Sequence, residues 1–290
     1  MKDVRPADFK LLLRWTQTRL RILLRGPRGA FFTFIFPLIF LIIFDAGNKS
    51  SSIAVTGGKV DFVQFYTPGI AVFAVTTSCY QGLIILVANL RDQGILKRVK
   101  GTPLSPWVYL TALVGAAITA GFLSVLLMFV VAVPAFGVHI YPKLLPAAVV
   151  TLFLGAASIT AIALCVSTLV DRPESAQPIA AITFFPLLFV SGVFYPLETY
   201  PDWLQKIAHI FPLSHMAQGF EECFSPHTTG FGFSGRHLSV LAIWWVVATI
   251  YAARHFRWEK RPGGGGGLGW RRSERRRAQQ QPSAAEATRP

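Results

Sequence analysis

Residues Asn89 to Tyr109 read N-L-R-D-Q-G-I-L-K-R-V-K-G-T-P-L-S-P-W-V-Y. This is a short, basic stretch, punctuated by Gly and Pro, between two long apolar runs. Each run is long enough for the roughly 20 helical residues that cross a hydrocarbon core about 30 Å thick. A polar loop of this size between two such runs belongs at a membrane face. Arg91-Asp92-Gln93-Gly94, followed by Ile95, Leu96 and Val99, predicts the start of a short amphipathic helix. Thr102-Pro103 and Ser105-Pro106 close it, and Trp107 and Tyr109 are placed to anchor at the interface. A loop stiffened in this way can transmit force to the spans on either side. Its residues suggest a docking surface rather than an active site.

The rest of the chain agrees with a membrane setting. Of 290 residues, 52% are hydrophobic and 14% charged, where a soluble domain carries about a quarter charged. The mean hydropathy is +0.48. The expected class is an all-α membrane protein; a β-barrel would show short alternating segments instead. Residues 8–25 form an amphipathic pattern, with Lys10, Arg14, Gln17, Arg21, Arg25 and Arg28 on one face. Phe9, Leu12, Leu13, Leu20 and Leu23 gather on a separate flank, and Arg19 lies outside both groups. Such a helix lies in the headgroup plane with its basic face toward anionic lipid.

Six spans are expected, at about 30–46, 62–88, 106–133, 145–170, 177–195 and 238–256. Pro37 is expected to kink the first, and Pro134 to end the third. The fourth is rich in Ala, Gly, Ser and Thr, which permits close helix packing. Between the fifth and sixth, two half-length apolar stripes stand on either side of Pro212. One is Trp203, Leu204, Ile207, Ala208 and Phe211; the other is Leu213, Met216, Ala217 and Phe220. They suggest a re-entrant pair dipping into one leaflet. The domain reading is a cytoplasmic N-terminus at 1–28, a transmembrane domain at 29–256 and a flexible basic tail at 257–290. In that tail, Gly263–Gly267 precedes R-R-S-E-R-R-R.

Of the 28 Lys and Arg, 23 fall on the side that holds both termini and the 89–105 loop. That side is expected to be cytoplasmic. The net charge of +14 is therefore a topology signal, and no nucleic-acid partner is expected. The chain contains no phosphate loop, G-x-S-x-G, H-E-x-x-H or C-x-x-C. The six histidines include no i, i+4 pair on one helix, and no metal site is expected. No Asp, Glu, Lys, Arg or His occurs between Asp61 and Arg91, Tyr109 and His139, or Leu144 and Asp171. Proton pumps and many ion-coupled carriers need such groups inside the membrane. A transporter built this way would draw its energy from a separate motor subunit.

The pattern R-D-Q-G-I-L-K-R-V-K-G-T-P-L-S-P resembles the acidic-Gly-Leu…Thr-Pro-Leu loop of ABC-2 type permeases, the membrane subunits of ATP-driven exporters. A second match is more specific: P-L-L-F-V-S-G-V-F-Y-P-L-E-T-Y-P-D-W-L-Q-K-I-A-H-I-F-P-L-S-H at 186–215 is similar to that family's Ser-Gly, Pro, Pro-x-Trp-Leu and Pro-Leu segment. Within the family, the chain resembles drug-resistance permeases of actinobacterial type over about 8–256. Where the family often has Glu, this chain has Asp92.

The resemblance implies six transmembrane helices, an N-terminal interfacial helix, a cytoplasmic coupling helix and extracytoplasmic re-entrant helices. It implies a non-catalytic plasma-membrane subunit working in efflux, such as antibiotic resistance. The partners would be an ABC ATPase subunit, a second permease copy or paralogue, and membrane lipid. The chain itself would hold no cofactor, with ATP and Mg bound by the partner subunit. Carried over by position, Arg91, Asp92, Gly94, Leu96, Thr102 and Pro103 would form the ATPase-coupling element. Ser191, Gly192, Pro196 and Trp203 would shape an extracytoplasmic gate. Phe73, Phe122, Phe129, Phe184, Phe185 and Phe189 are numerous enough to line an apolar route. The alternatives are an ion-coupled carrier and a membrane scaffold without an ATPase.

Overall fold

A computed structural model of the chain describes residues 6–48, 51–55, 58–102, 106–170, 172–228 and 230–259. Helix α1 (Pro6–Arg25) is followed by α2 (Pro27–Ala30), a π-helical turn at Phe31–Ile35, and α3 (Phe36–Gly47). The Phe36 N–H reaches back five residues to the Phe31 carbonyl. This wider turn sits immediately before Pro37, where a proline ring interrupts the i to i−4 ladder.

A short antiparallel hairpin follows, β1 (Ser52–Val55) and β2 (Gly58–Asp61), with Ile53 opposite Val60. The all-α expectation missed it. Helix α4 (Phe62–Thr76), a π-helical turn (Thr77–Gly82) and α5 (Leu83–Asp92) then run as one continuous helix. Next come α6 (Ile95–Lys100), α7 (Pro106–Phe136), α8 (Leu145–Ser167) and α9 (Pro173–Val190). Helix α7 continues two residues past Pro134, which was expected to end it. The last elements are α10 (Asp202–Ala208), α11 (Pro212–Glu222) and α12 (Gly235–His255).

Among the described residues, four helices are long and apolar enough to cross a membrane: Phe62–Asp92, Trp107–Phe136, Leu145–Ser167 and Gly235–His255. Phe31–Gly47 is apolar but shorter. The 18 residues of α9 include Gln177, Pro178, Thr183 and Pro186. The molecule is thus a multi-pass α-helical membrane protein.

Lipid tails are as apolar as leucine, so close contact rather than water exclusion holds such helices together. Gly155, Ala156, Ala157, Ser158, Thr160, Ala161 and Ala163 are buried along α8, where α11 and α12 pack. Helix α4 is buried along nearly its whole length and touches α3, α7 and α11. Gln64, near its first turn, uses its whole amide. Its Nε2 donates to the carbonyls of His139 and Phe224, and its Oε1 accepts from the His139 N–H. Asp45 accepts from Thr67 Oγ1 at 3.0 Å, tying α3 to α4.

Candidate functional site

Two places bring the sequence candidates together. One is the end of the bundle that carries the 89–109 stretch, and the other is the opposite end.

At the first, α5 stops because Gly94 turns left-handed, at φ +69°. The Gln93 and Gly94 N–H groups bond back to the carbonyls of Asn89 and Arg91. The break aims α6 away from α5 as a separate short helix. Leu96 is fully buried and anchors it, while Asp92, Lys97, Arg98 and Lys100 are exposed. Thr102 is exposed and its hydroxyl donates to the Val99 carbonyl. Pro103 lies outside the described residues. Arg91 differs from the other candidates of this loop. It is 5% exposed and turned into the bundle, where it binds main-chain carbonyls of distant segments.

The N-terminal helix is clamped to the same end. The ring of Trp15 meets Tyr109 edge-on at 5.2 Å, and Arg19 donates to the Tyr109 hydroxyl while lying over its ring. This explains why Arg19 falls outside both faces of the amphipathic pattern: it packs on α7, while Lys10, Arg14, Arg21 and Arg25 point outward. Residues 257–259, which composition places in the tail, instead pack against the loop, with Trp258 edge-on to Trp107 at 5.8 Å.

At the opposite end, a cavity of about 790 Å³ opens between the hairpin, the start of α4, α11 and the segment before α12. Gly192 and Pro196 line it; Ser191 is buried beside it, and Trp203 is exposed on α10. Gly192 adopts φ +86°, and a Cβ there would run into Leu197. Glu198, Glu221 and Glu222 also line the cavity. Burial, then the charges of Glu198 and Glu222, hold the Glu221 carboxyl well above the usual carboxylate range. Its Oε1 is buried without a hydrogen-bond partner.

Next to this cavity is a constellation that sequence reading missed. His215 on α11 and His237 on α12 face each other, Nδ1 to Nδ1 at 2.8 Å. His237 Nε2 then meets Glu222 Oε1 at 3.3 Å. These histidines are 22 residues apart, and no local spacing rule pairs them. Among the described residues, no group of three or more His, Cys, Asp or Glu could hold a metal ion.

The aromatic candidates separate. Phe73 and Phe184 are buried and stack at 6.2 Å between their centroids. Phe122 and Phe129 are half-buried, whereas Phe185 and Phe189 are exposed.

The described geometry is that of a helical membrane bundle with a short basic helix at one end and an open cavity at the other. Residues 10–224 match the family model described as ABC-2 type transporter. Among curated proteins, the chain is 29% identical over 216 residues to the daunorubicin resistance ABC transporter permease protein DrrB1 of Streptomyces coeruleorubidus, covering 72% of each chain. It is 24% identical over 187 residues to the inner membrane transport permease YadH of Escherichia coli, covering 64% of this chain and 71% of that one. The family model spans most of the chain and its relatives are transport permeases, so this chain belongs to the ABC-2 type transporter family.

Proposed function

We propose that the chain moves an amphipathic substrate, such as a drug, a lipid or a lipid-linked glycan, outward across the plasma membrane. As an ABC-2 permease it is a non-catalytic membrane subunit of an ABC transporter, and the ATPase is a separate chain. The finer reading has six spans: the four long helices, Phe31–Gly47 and α9. Both termini are cytoplasmic, which the Lys and Arg distribution supports. Helices α10 and α11 form the extracytoplasmic re-entrant pair. The domains are 1–28, 29–256 and 257–290. Two permease copies, identical or paralogous, pair in lipid, and ATP with Mg is bound by the partner.

The observation that carries this reading is α6. It is a separate helix with a buried Leu96, an outward basic face and a Gly94 hinge, at the end where positive charge gathers. Such a helix suits an acidic groove on a motor subunit. The test is a pull-down from mild detergent with wild type and with Gly94→Pro combined with Asp92→Lys. Wild type is expected to retain an ATPase that the variant loses. If neither protein retains a nucleotide-binding partner, the reading fails.

One observation favours the ion-coupled alternative: His215, His237 and Glu222 form a hydrogen-bonded chain of titratable side chains beside the cavity. Transport that collapses with the proton gradient while ATP stays high would select it.

A further inference from the structure

We propose that Arg91 is a positioning residue which, together with Phe256–Glu259, hands the movement of α6 directly to the ends of α8 and α12. The proposal rests on the coupling reading of α6.

Arg91 Nε donates to the Arg257 carbonyl at 3.0 Å, and its Nη1 donates to the carbonyls of Ser167 and Val170, both at 2.9 Å. The guanidinium carbon lies 5.7 Å from the Phe256 ring centre. Ser167 is the last residue of α8. The final carbonyls of a helix have no partner within it and carry the negative end of its dipole, so a cation there is favoured. A planar guanidinium can hold acceptors on separate segments at the same time; a lysine ammonium is a point charge and cannot reproduce that fork. All three acceptors are main-chain atoms, so the grip joins backbones.

The same C-terminal segment also reaches α6. Glu259 lies 3.7 Å from Lys97 and 3.9 Å from Lys100. These pairs are exposed and contribute little by themselves. Trp258 adds its contact with Trp107. Only Asp92, Gln93 and Gly94 separate Arg91 from α6, and two of these are bonded back onto α5. Displacing α6 therefore pulls on Arg91, and Arg91 pulls on α8 and on the end of α12. Chain connectivity alone would carry the push only to α5 and α7.

The test uses the full chain co-expressed with its ATPase. Single cysteines replace Lys97 and Glu259 in a background without Cys79, Cys165 and Cys223. A short bifunctional thiol reagent is applied with and without nucleotide trapped by vanadate. With Arg91 present, the cross-linking yield is expected to be high and equal in both states. Arg91→Gln is expected to lower the yield and to cut transport per ATP hydrolysed about tenfold, with Arg91→Lys giving at most partial rescue. Yields that differ between nucleotide states with Arg91 present would overturn the proposal, because the segment would then be separating from α6. An unchanged yield and coupling ratio in Arg91→Gln would overturn it too. If Arg91→Gln does not accumulate, Trp258→Ala takes its place, and unchanged coupling in that variant overturns the proposal. Wild type that retains no ATPase is a different result: it removes the coupling reading of α6 itself, and this inference with it.

Discussion

The Nδ1 atoms of His215 and His237 are 2.8 Å apart between α11 and α12, so one hydrogen lies between them and only one ring donates it. His215 Nε2 is 3.0 Å from the His209 carbonyl, which can only accept, so that nitrogen carries a hydrogen. Burial pushes the His215 pKa down, opposed by this hydrogen bond and reinforced by His237, His209 and Arg236. A neutral His215 therefore accepts at Nδ1, and His237 is the donor. On its other side, His237 Nε2 faces Glu222 Oε1 at 3.3 Å.

Acid is expected to loosen this end of the bundle. His215 has a lower pKa folded than its ordinary 6.5, so the unfolded chain binds more protons just below that pH. The stabilisation is complete above about 6.5 and is lost as pH falls toward the folded value. Thermal unfolding in detergent from about pH 8 to pH 5 should show a falling Tm, and His215→Gln should flatten that slope. A wild-type Tm indifferent to this range would refute the assignment.

Glu221 has the opposite sign. Burial, then the charges of Glu198 and Glu222, raise its pKa, so its contribution is present at low pH and shrinks as pH rises through its raised folded value. Glu221→Gln supplies a group that stays neutral at this buried position, where Oε1 has no hydrogen-bond partner. The substitution should stabilise the protein by about 1 kcal/mol above neutral pH. A lowered Tm at about pH 8 would show that the carboxylate is needed there.

Gly94→Ala isolates the hinge. A Cβ at Gly94 meets nothing within 4 Å, so the penalty is purely the left-handed φ of +69°. That costs about 1–2 kcal/mol. The protein should still accumulate in membranes, because Leu96 remains in the core. Its ATPase should co-purify less, and Gly94→Asn should fall between the two. Equal recovery for all three would mean that the direction of α6 is unimportant.

The long spans were legible because a 20-residue apolar run has few alternatives in a chain this hydrophobic. The short helix after Gly94 was legible from Ile95, Leu96 and Val99, but the left-handed turn of Gly94 that leaves Arg91 and Asp92 on α5 was not. The hairpin was not, since four-residue strands such as Ser52–Val55 are too short for alternation to register. The inward turn of Arg91 was hidden as well, because its partners lie 76 to 166 residues away in the chain. On sequence it is one more basic residue in a basic loop. The same holds for His215 and His237, which only the packing of α11 against α12 brings together.

Tyr80 and Thr183 offer a measure of how firmly the long helix of residues 62–92 is closed against α9. The Tyr80 hydroxyl donates to Thr183 Oγ1 at 2.9 Å, and Phe184 stacks between Phe73 and Tyr80. Thr183 Oγ1 also donates to the Ile179 carbonyl, so it keeps one bond when Tyr80 is removed. Tyr80→Phe should therefore cost about 0.5–1.5 kcal/mol. Thr183→Val should cost a similar amount, and the double variant should lose less than the sum by at least about 0.5 kcal/mol. If these helices part during transport, as an outward-opening route between them requires, the same coupling should vanish in protein trapped with nucleotide. A coupling energy that is unchanged on trapping would mean that this seam stays shut and that substrate passes elsewhere.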